Sequence, residues 1–239
     1  MRQHRAAAAG IAVAVSAALS ACTGTPPPAS SVRAFDTPQA LAEANQVAAE
    51  RKGSVTVDLD LATNGKGSCG LRTTDYAASC RISIAGAEEV AYVMVPEGIF
   101  VRIPRGQAPQ PDRPWLRVDP EDPANALGRA MADVAVHVRD TADLRKALPG
   151  GSRIVEKVEE SLSGRQTVRY TAHVVVNGQA SVLKLWVDDA DLPVRTEVGT
   201  PVEGGEPVRV VADYRDWGKP VEIAVPTPDQ LGELPKLPG

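Results

Sequence analysis

Aromatic side chains are scarce in this 239-residue chain: three Trp, four Tyr and two Phe, 4% of the residues. That scarcity excludes an extended aromatic platform for stacking sugars or bases, and it leaves any core or cavity mostly aliphatic. Histidine is scarcer still. Of the three, His4 lies in the N-terminal segment, so only His137 and His173 remain to serve a nucleophilic or general-base site. Neither has an evident partner in sequence. No Gly-x-Ser-x-Gly, His-Glu-x-x-His or phosphate-binding glycine loop occurs. No run of Lys and Arg occurs either, so nothing points to a nucleic-acid partner. Asp188, Asp189 and Asp191 lack the glycine and the bidentate Glu of an EF-hand loop and read as a solvated turn. Glu159 and Glu160 are adjacent in a strand-like run, point to opposite faces, and do not suit a glycosidase pair. The chain is therefore expected to be no enzyme and to use no cofactor or metal.

What is present starts at the N-terminus. Arg2 and Arg5 are followed by an uncharged Ala/Val-rich run from Ala6 to Ala21, the layout of a secretory signal. The run is short of the roughly 20 apolar residues of a membrane-spanning helix. It ends in Leu19-Ser20-Ala21-Cys22, which reads as a bacterial lipobox with Cys22 as the lipidated residue. Two or three acyl chains on Cys22 anchor stably, whereas one does so only marginally. An ordinary secreted protein with a chance cysteine at the end of its signal is the competing reading. Residues 22–36 then have the Pro/Ser composition of a linker.

Without Arg2 and Arg5, the 26 basic residues fall to 24 against 30 acidic ones, a net charge of −6. Such a domain is not drawn to an anionic bilayer by charge, so the acyl anchor has to hold it on the extracytoplasmic face of the cell membrane. With Cys22 assigned to lipid, Cys69 and Cys80 remain. In an oxidising compartment they read as a disulfide or as two free thiols, and Cys-x10-Cys is not zinc spacing.

From Thr37-Pro38 a helix runs to about Glu50, with Leu41, Ala44, Val47 and Ala48 at helical spacing and Gly53 as its stop. The period then becomes two. Val55, Val57, Leu59 and Leu61 share one face of the run Ser54 to Ala62. Asn64-Gly65-Lys66-Gly67 is turn material, and Gly70 to Ala78 reads as a connection leading to a strand from Ser79 to Ile84. Pro96-Glu97-Gly98 turns a hairpin between Glu89–Val95 and Ile99–Ile103. A helix follows from about Ala124 to Arg139, its stripe made of Leu127, Met131, Val134 and Val138. Asp143 to Leu148 adds a further helical turn or two. Strands succeed one another from Arg153, with Val168, Tyr170, Ala172, Val174 and Val176 on one face and Asn177-Gly178 as a two-residue turn. The series ends with Pro207–Tyr214 and Val221–Val225, and residues 227–239 form a Pro-rich tail. This is an α+β pattern dominated by an antiparallel meander, without βαβ alternation.

Two segments are more specific. One is Leu185-Trp186-Val187-Asp188 with Asp191-Leu192-Pro193-Val194-Arg195; the other is Asp213-Tyr214-Arg215-Asp216-Trp217-Gly218-Lys219-Pro220-Val221-Glu222-Ile223 with Pro226. Together with the lipobox and linker, the chain resembles the actinobacterial lipoproteins of the LppX/LprG type, which share the fold of LolA and LolB. The resemblance spans about residues 38–226. It implies a half-open antiparallel β-barrel with helices covering the concave face, and a cavity for the acyl chains of a lipid or glycolipid. It implies carriage of that lipid and an envelope transport protein as partner; an interaction or sensor domain with a filled barrel is the alternative. No catalytic residue is carried over. By alternation and helix face the cavity candidates are Val57 and Leu59, Tyr92 and Met94, the four stripe residues Leu127, Met131, Val134 and Val138, and Tyr170, Val174 and Leu185. The Cys69/Cys80 pair is not a feature of the best-known members.

Overall fold

The structure, a computed structural model, describes residues 32–62, 65–83, 88–104, 106, 108, 110–119, 129, 143–176, 178–200 and 208–233. Cys22 and the stripe of Leu127, Met131, Val134 and Val138 lie outside the described residues. Helix α1 spans Pro38–Lys52 and α2 spans Leu144–Ala147. The strands are β1 (Ser54–Asp60), β2 (Lys66–Arg72), β3 (Ala77–Ser83), β4 (Val90–Val95), β5 (Gly98–Arg102), β6 (Trp115–Val118), β7 (Arg153–Leu162), β8 (Arg165–Val176), β9 (Gln179–Asp188), β10 (Pro193–Thr200), β11 (Val208–Arg215) and β12 (Leu231–Gly232).

All twelve strands form one sheet, in the order β12-β6-β5-β4-β3-β2-β1-β11-β10-β9-β8-β7. Every pairing is antiparallel except the parallel contact of β12 with β6. Two sequential meanders, β1–β6 and β7–β11, therefore meet at one seam, where Val57 lies opposite Tyr214 and Leu59 opposite Ala212. The sheet does not close on itself among the described residues: β12 and β7 are its two ends.

Helix α1 begins where the residue types demand. Thr37 Oγ1 accepts a hydrogen bond from the Ala40 N–H, and Pro38 occupies the first turn, where no N–H is needed. Gly53 ends it in the left-handed conformation, at φ 79°. The buried face is not the one expected. Leu41 and Ala48 are inside, but they share that face with Ala42, Asn45 and Ala49, while Val47 is 54% exposed. Polar anchoring sets the rotation: Asn45 Nδ2 donates to the Asp191 carbonyl at 2.8 Å, and Gln46 Nε2 to the Tyr76 hydroxyl at 3.3 Å.

Four further segments differ from expectation. Residues 66–72, expected in part as a turn and in part as a connection, are strand β2. The two glycines that suggest a loop are explained by close approach. A Cβ on Gly70 would sit 3.2 Å from the Val221 side chain, and one on Gly67 would sit 3.0 Å from the Arg81 carbonyl. Val221–Val225 is not a strand; it crosses the sheet without a ladder. The segment after Pro226, expected as a free tail, makes a 3-10 turn at Pro228–Gln230 and then pairs as β12 with Trp115 and Leu116. Val32 and Phe35, in the stretch read as linker, are 6% and 7% exposed and belong to the core.

Candidate functional site

Alternation places one apolar side chain after another on the same face of the sheet. In register across seven strands lie Tyr214, Val57, Cys69, Cys80, Tyr92, Val101 and Leu116, all buried and none charged. The neighbouring row carries Tyr170, Leu185, Thr196, Ala212, Leu59, Gly67 and Ile82. This inner face is the candidate site.

It is divided into two clusters. The first is built from β1–β6 and β11, and its buried members include Val57, Leu59, Leu71, Ile82, Tyr92, Met94, Val101 and Tyr214. The second is built on β8 and β9, with Val168, Tyr170, Val174, Leu183, Leu185 and Val187, and it is roofed by Val32, Phe35, Leu41 and Ala42 from the N-terminal side and by Leu144 and Leu148 at α2. Among the described residues, helix side chains belong to the second cluster and not to the first.

Of the sequence-derived candidates, Val57, Leu59, Tyr92 and Met94 fall in the first cluster, and Tyr170, Val174 and Leu185 in the second. Sequence reasoning passed over Leu71, which lies in the segment read as a connection, and Ile82, whose strand neighbours are polar. It also passed over Tyr214, although the run ending there alternates.

The roof over the second cluster is fastened by polar groups at the sheet's rim. Asp191, with φ 61°, is the hub. Its carbonyl takes the Asn45 amide, and its carboxylate takes the Arg33 guanidinium at 3.0 Å. Asp188 Oδ1 accepts the N–H groups of Ala190 and Leu192 at 3.0 Å each, which shapes that turn. The Tyr170 hydroxyl accepts from the Phe35 N–H at 2.9 Å. At its other end α1 is held by Thr73, whose Oγ1 donates to the Ala49 carbonyl at 3.0 Å, and α2 by Arg145, which donates to the Tyr76 hydroxyl at 2.9 Å. Burial raises the Asp143 carboxyl, but the hydrogen bonds from Arg145 and the positive charges of Arg145 and Lys146 together outweigh this and hold it below the usual range.

The first cluster has other fastenings. Cys69 and Cys80 lie directly opposite each other on β2 and β3, form a disulfide, and are each 1% exposed. Past the end of β11 the backbone folds back on β1. Gly218 N–H donates to the Ser54 carbonyl at 2.9 Å, and Ser54 Oγ donates to the Lys219 carbonyl at 2.6 Å. Trp217 stacks on Tyr214 with ring centroids 6.2 Å apart and donates its indole N–H to the Pro193 carbonyl at 3.1 Å. The two motif segments noted in the sequence are thus the rim of the sheet and its seam.

Three phenols face inward. Burial pushes the Tyr214 hydroxyl up to about 12, against a hydrogen-bond contact with Thr196 Oγ1 at 3.4 Å. Burial also raises Tyr92 and Tyr170. The Tyr92 hydroxyl has no hydrogen-bond partner among the described residues. His173 is exposed, on the opposite face of β8. Among the described residues, no group of three or more His, Cys, Asp or Glu side chains is placed to hold a metal, and no helix is long and apolar enough to cross a membrane.

No family model and no curated protein matches this chain. Solved structures do. The chain is similar to the crystal structure of the Mycobacterium tuberculosis lipoprotein LppX, at 14% identity and TM-score 0.49, over 78% of this chain and 98% of that one. It is also similar to MucB in complex with MucA(peri), at 15% identity and TM-score 0.36, over 81% of this chain and 58% of that one. A third is the Pseudomonas aeruginosa MucA/MucB complex, at 16% identity and TM-score 0.34, over 80% and 60%. The chain spans less than two thirds of the chains matched in the two MucB complexes and nearly the full length of the LppX chain.

Proposed function

We propose that this chain is an envelope lipoprotein, anchored through Cys22, whose sheet forms a half-open barrel and binds the acyl chains of a lipid or glycolipid against its inner face. Carriage of that lipid through the envelope, with a transport protein as partner, is the role this reading assigns, and it assigns no catalysis. The observation that carries it is the uncharged row from Tyr214 to Leu116 across seven strands. An acyl guest needs an aliphatic wall with few polar groups, each placed to orient it. The Tyr92 hydroxyl, without a partner among the described residues, supplies such a group for a carbonyl or hydroxyl at the head of the guest.

A second reading is supported by the tightness of that face. Val57 and Val101 are 0% exposed and Leu185 1%, as in a core filled by its own side chains. On this reading the domain is an envelope interaction or sensor module without lipid cargo. Native mass spectrometry of residues 31–239, purified from the native host, separates the two. An acylated mass that organic solvent extracts is the result expected for the carrier. A clean apo mass, with no uptake of a fluorescent fatty-acyl probe, overturns it in favour of the filled scaffold.

A further inference from the structure

The outer face of the sheet carries a second concavity, distinct from the inner face. A groove of about 430 Å³ lies between strands β2–β6 and the C-terminal segment that crosses them. Its size is within the roughly 300–1,000 Å³ typical of small-ligand pockets. Its floor is a single row in register: Ser68, Arg81, Ala91, Arg102 and Trp115. The crossing segment supplies Glu222 and Ala224 as the opposite wall.

The charge pattern of this row is unusual for the molecule. Elsewhere on the sheet, four guanidiniums have carboxylates, Arg195 with Asp213 at 2.6 Å, Arg209 with Glu197 at 2.8 Å, Arg169 with Glu156 at 2.9 Å and Arg215 with Asp58 at 2.6 Å, and Arg117 donates to the Glu97 carbonyl at 2.7 Å. In the groove, Arg81, Arg102 and Glu222 have no ion-pair or hydrogen-bond partner among the described residues, although all three line the same space. Arg81 and Arg102 stand two strands apart, about 10 Å between backbones at the usual strand spacing. Ala91 between them is too small to fill the gap, and Trp115 stands at the end of the row as a half-exposed aromatic wall.

We propose that this groove binds an acidic saccharide, a sugar ring bearing a carboxylate or phosphate. The two guanidiniums take the oxyanion in charge-assisted, fork-shaped hydrogen bonds. The Trp115 indole lies against the apolar C–H face of the ring. The Glu222 carboxylate and the Ser79 hydroxyl, also in the lining, take ring hydroxyls. One indole serves a single ring, which suits a chain too poor in aromatics for an extended platform.

The test uses the full-length lipidated protein in detergent micelles and follows Trp fluorescence, with Trp115→Phe identifying the groove's share. Glucuronate and glucose 1-phosphate are titrated against neutral glucose and inorganic phosphate. Saturable binding of the two sugar acids is expected, with glucose and phosphate each at least ten-fold weaker. Arg81→Gln combined with Arg102→Gln is expected to weaken the sugar acids at least ten-fold while leaving the thermal unfolding curve unchanged. Micelles doped with glucuronosyl diacylglycerol form a second arm. A response to free sugar acid identifies a soluble or polymeric glycan as the source, and a response to the doped micelles alone identifies a lipid headgroup. No saturable binding in either arm overturns the proposal. So does binding that the double arginine variant leaves intact, or phosphate binding as tight as the sugar acids. A lipid-free inner face would leave this outcome untouched, because the two sites lie on opposite faces.

Discussion

The two apolar clusters occupy one face of one sheet, yet they are held in different ways. The cluster on β8 and β9 is roofed by α1 and α2 and fastened at its rim by Asn45, Asp191 and Tyr170. The cluster on β1–β6 and β11 contains no helix side chain among the described residues, and its fastenings are a cross-strand disulfide and a segment laid over its back. Apolar burial alone does not specify which part of a sheet is closed over. The polar anchors at the rim do, because each must find its partner before the roof can sit down.

The sharpest way to break this comparison is Leu41→Ala. Leu41 is fully buried at the centre of the roof. Truncation is expected to cost about 4 kcal/mol, within the usual range for a buried leucine, in urea denaturation. Hydrogen exchange is expected to rise in β8 and β9 before β2 and β3. Equal loss in both halves would show that the clusters are one cooperative core.

Replacing Cys69 and Cys80 by Ala addresses the other half. With the two positions 11 apart in sequence, the lost constraint on the unfolded chain is expected to cost about 3 kcal/mol. Here the exchange of β2 and β3 amides should rise first.

Tyr214 sits at the seam between the halves. Its folded-state phenol titrates near 12, above the ordinary value of 10.0. The folded protein therefore holds this proton more tightly than the unfolded chain. The associated stability is complete below pH 10 and is lost as pH rises towards 12, on the order of 3 kcal/mol in all. Tyr92 and Tyr170 shift in the same direction, so Tyr214→Phe is expected to lessen the alkaline decline rather than abolish it. Denaturation curves between pH 8 and 12 check this.

The smallest effect expected is that of Gly232→Ala. A Cβ there would lie 2.6 Å from the Arg113 carbonyl, so β12 must leave β6. About 1 kcal/mol, the value of one or two exposed hydrogen bonds, should be lost. Faster exchange should be confined to β6 and β12.

Much of this was legible where one rule acted alone. Thr37-Pro38 and Gly53 marked α1, period-two alternation marked β1 and β8, Pro96-Glu97-Gly98 marked the β4–β5 hairpin, and Asn177-Gly178 marked the β8–β9 hairpin. The inward direction of Val57, Tyr92 and Tyr170 followed from the same alternation. Legibility failed where tertiary contact overrode local preference. Gly67 and Gly70 read as loop residues, yet they are strand residues because other backbone and side chains approach them closely. Val221–Val225 has strand-forming residue types and crosses a face instead of joining a ladder. Val47 looked inward until buried amides turned the helix. The outer groove could not be read at all, since Arg81, Arg102 and Glu222 come together only when the C-terminal segment crosses the sheet.

The seam between β1 and β11 has a consequence for the order of events in time. Each meander is made of neighbours in sequence and can zip from its own hairpins. The seam joins residues such as Asp58 and Arg215, 157 positions apart, whose side chains meet at 2.6 Å. Closing so large a loop is among the slowest steps available to a chain. A polypeptide made from its N-terminus can finish β1–β6 well before β11 exists. Until residues 208–215 arrive, β1 is an open edge, and the nascent half-sheet needs protection from pairing with a stranger.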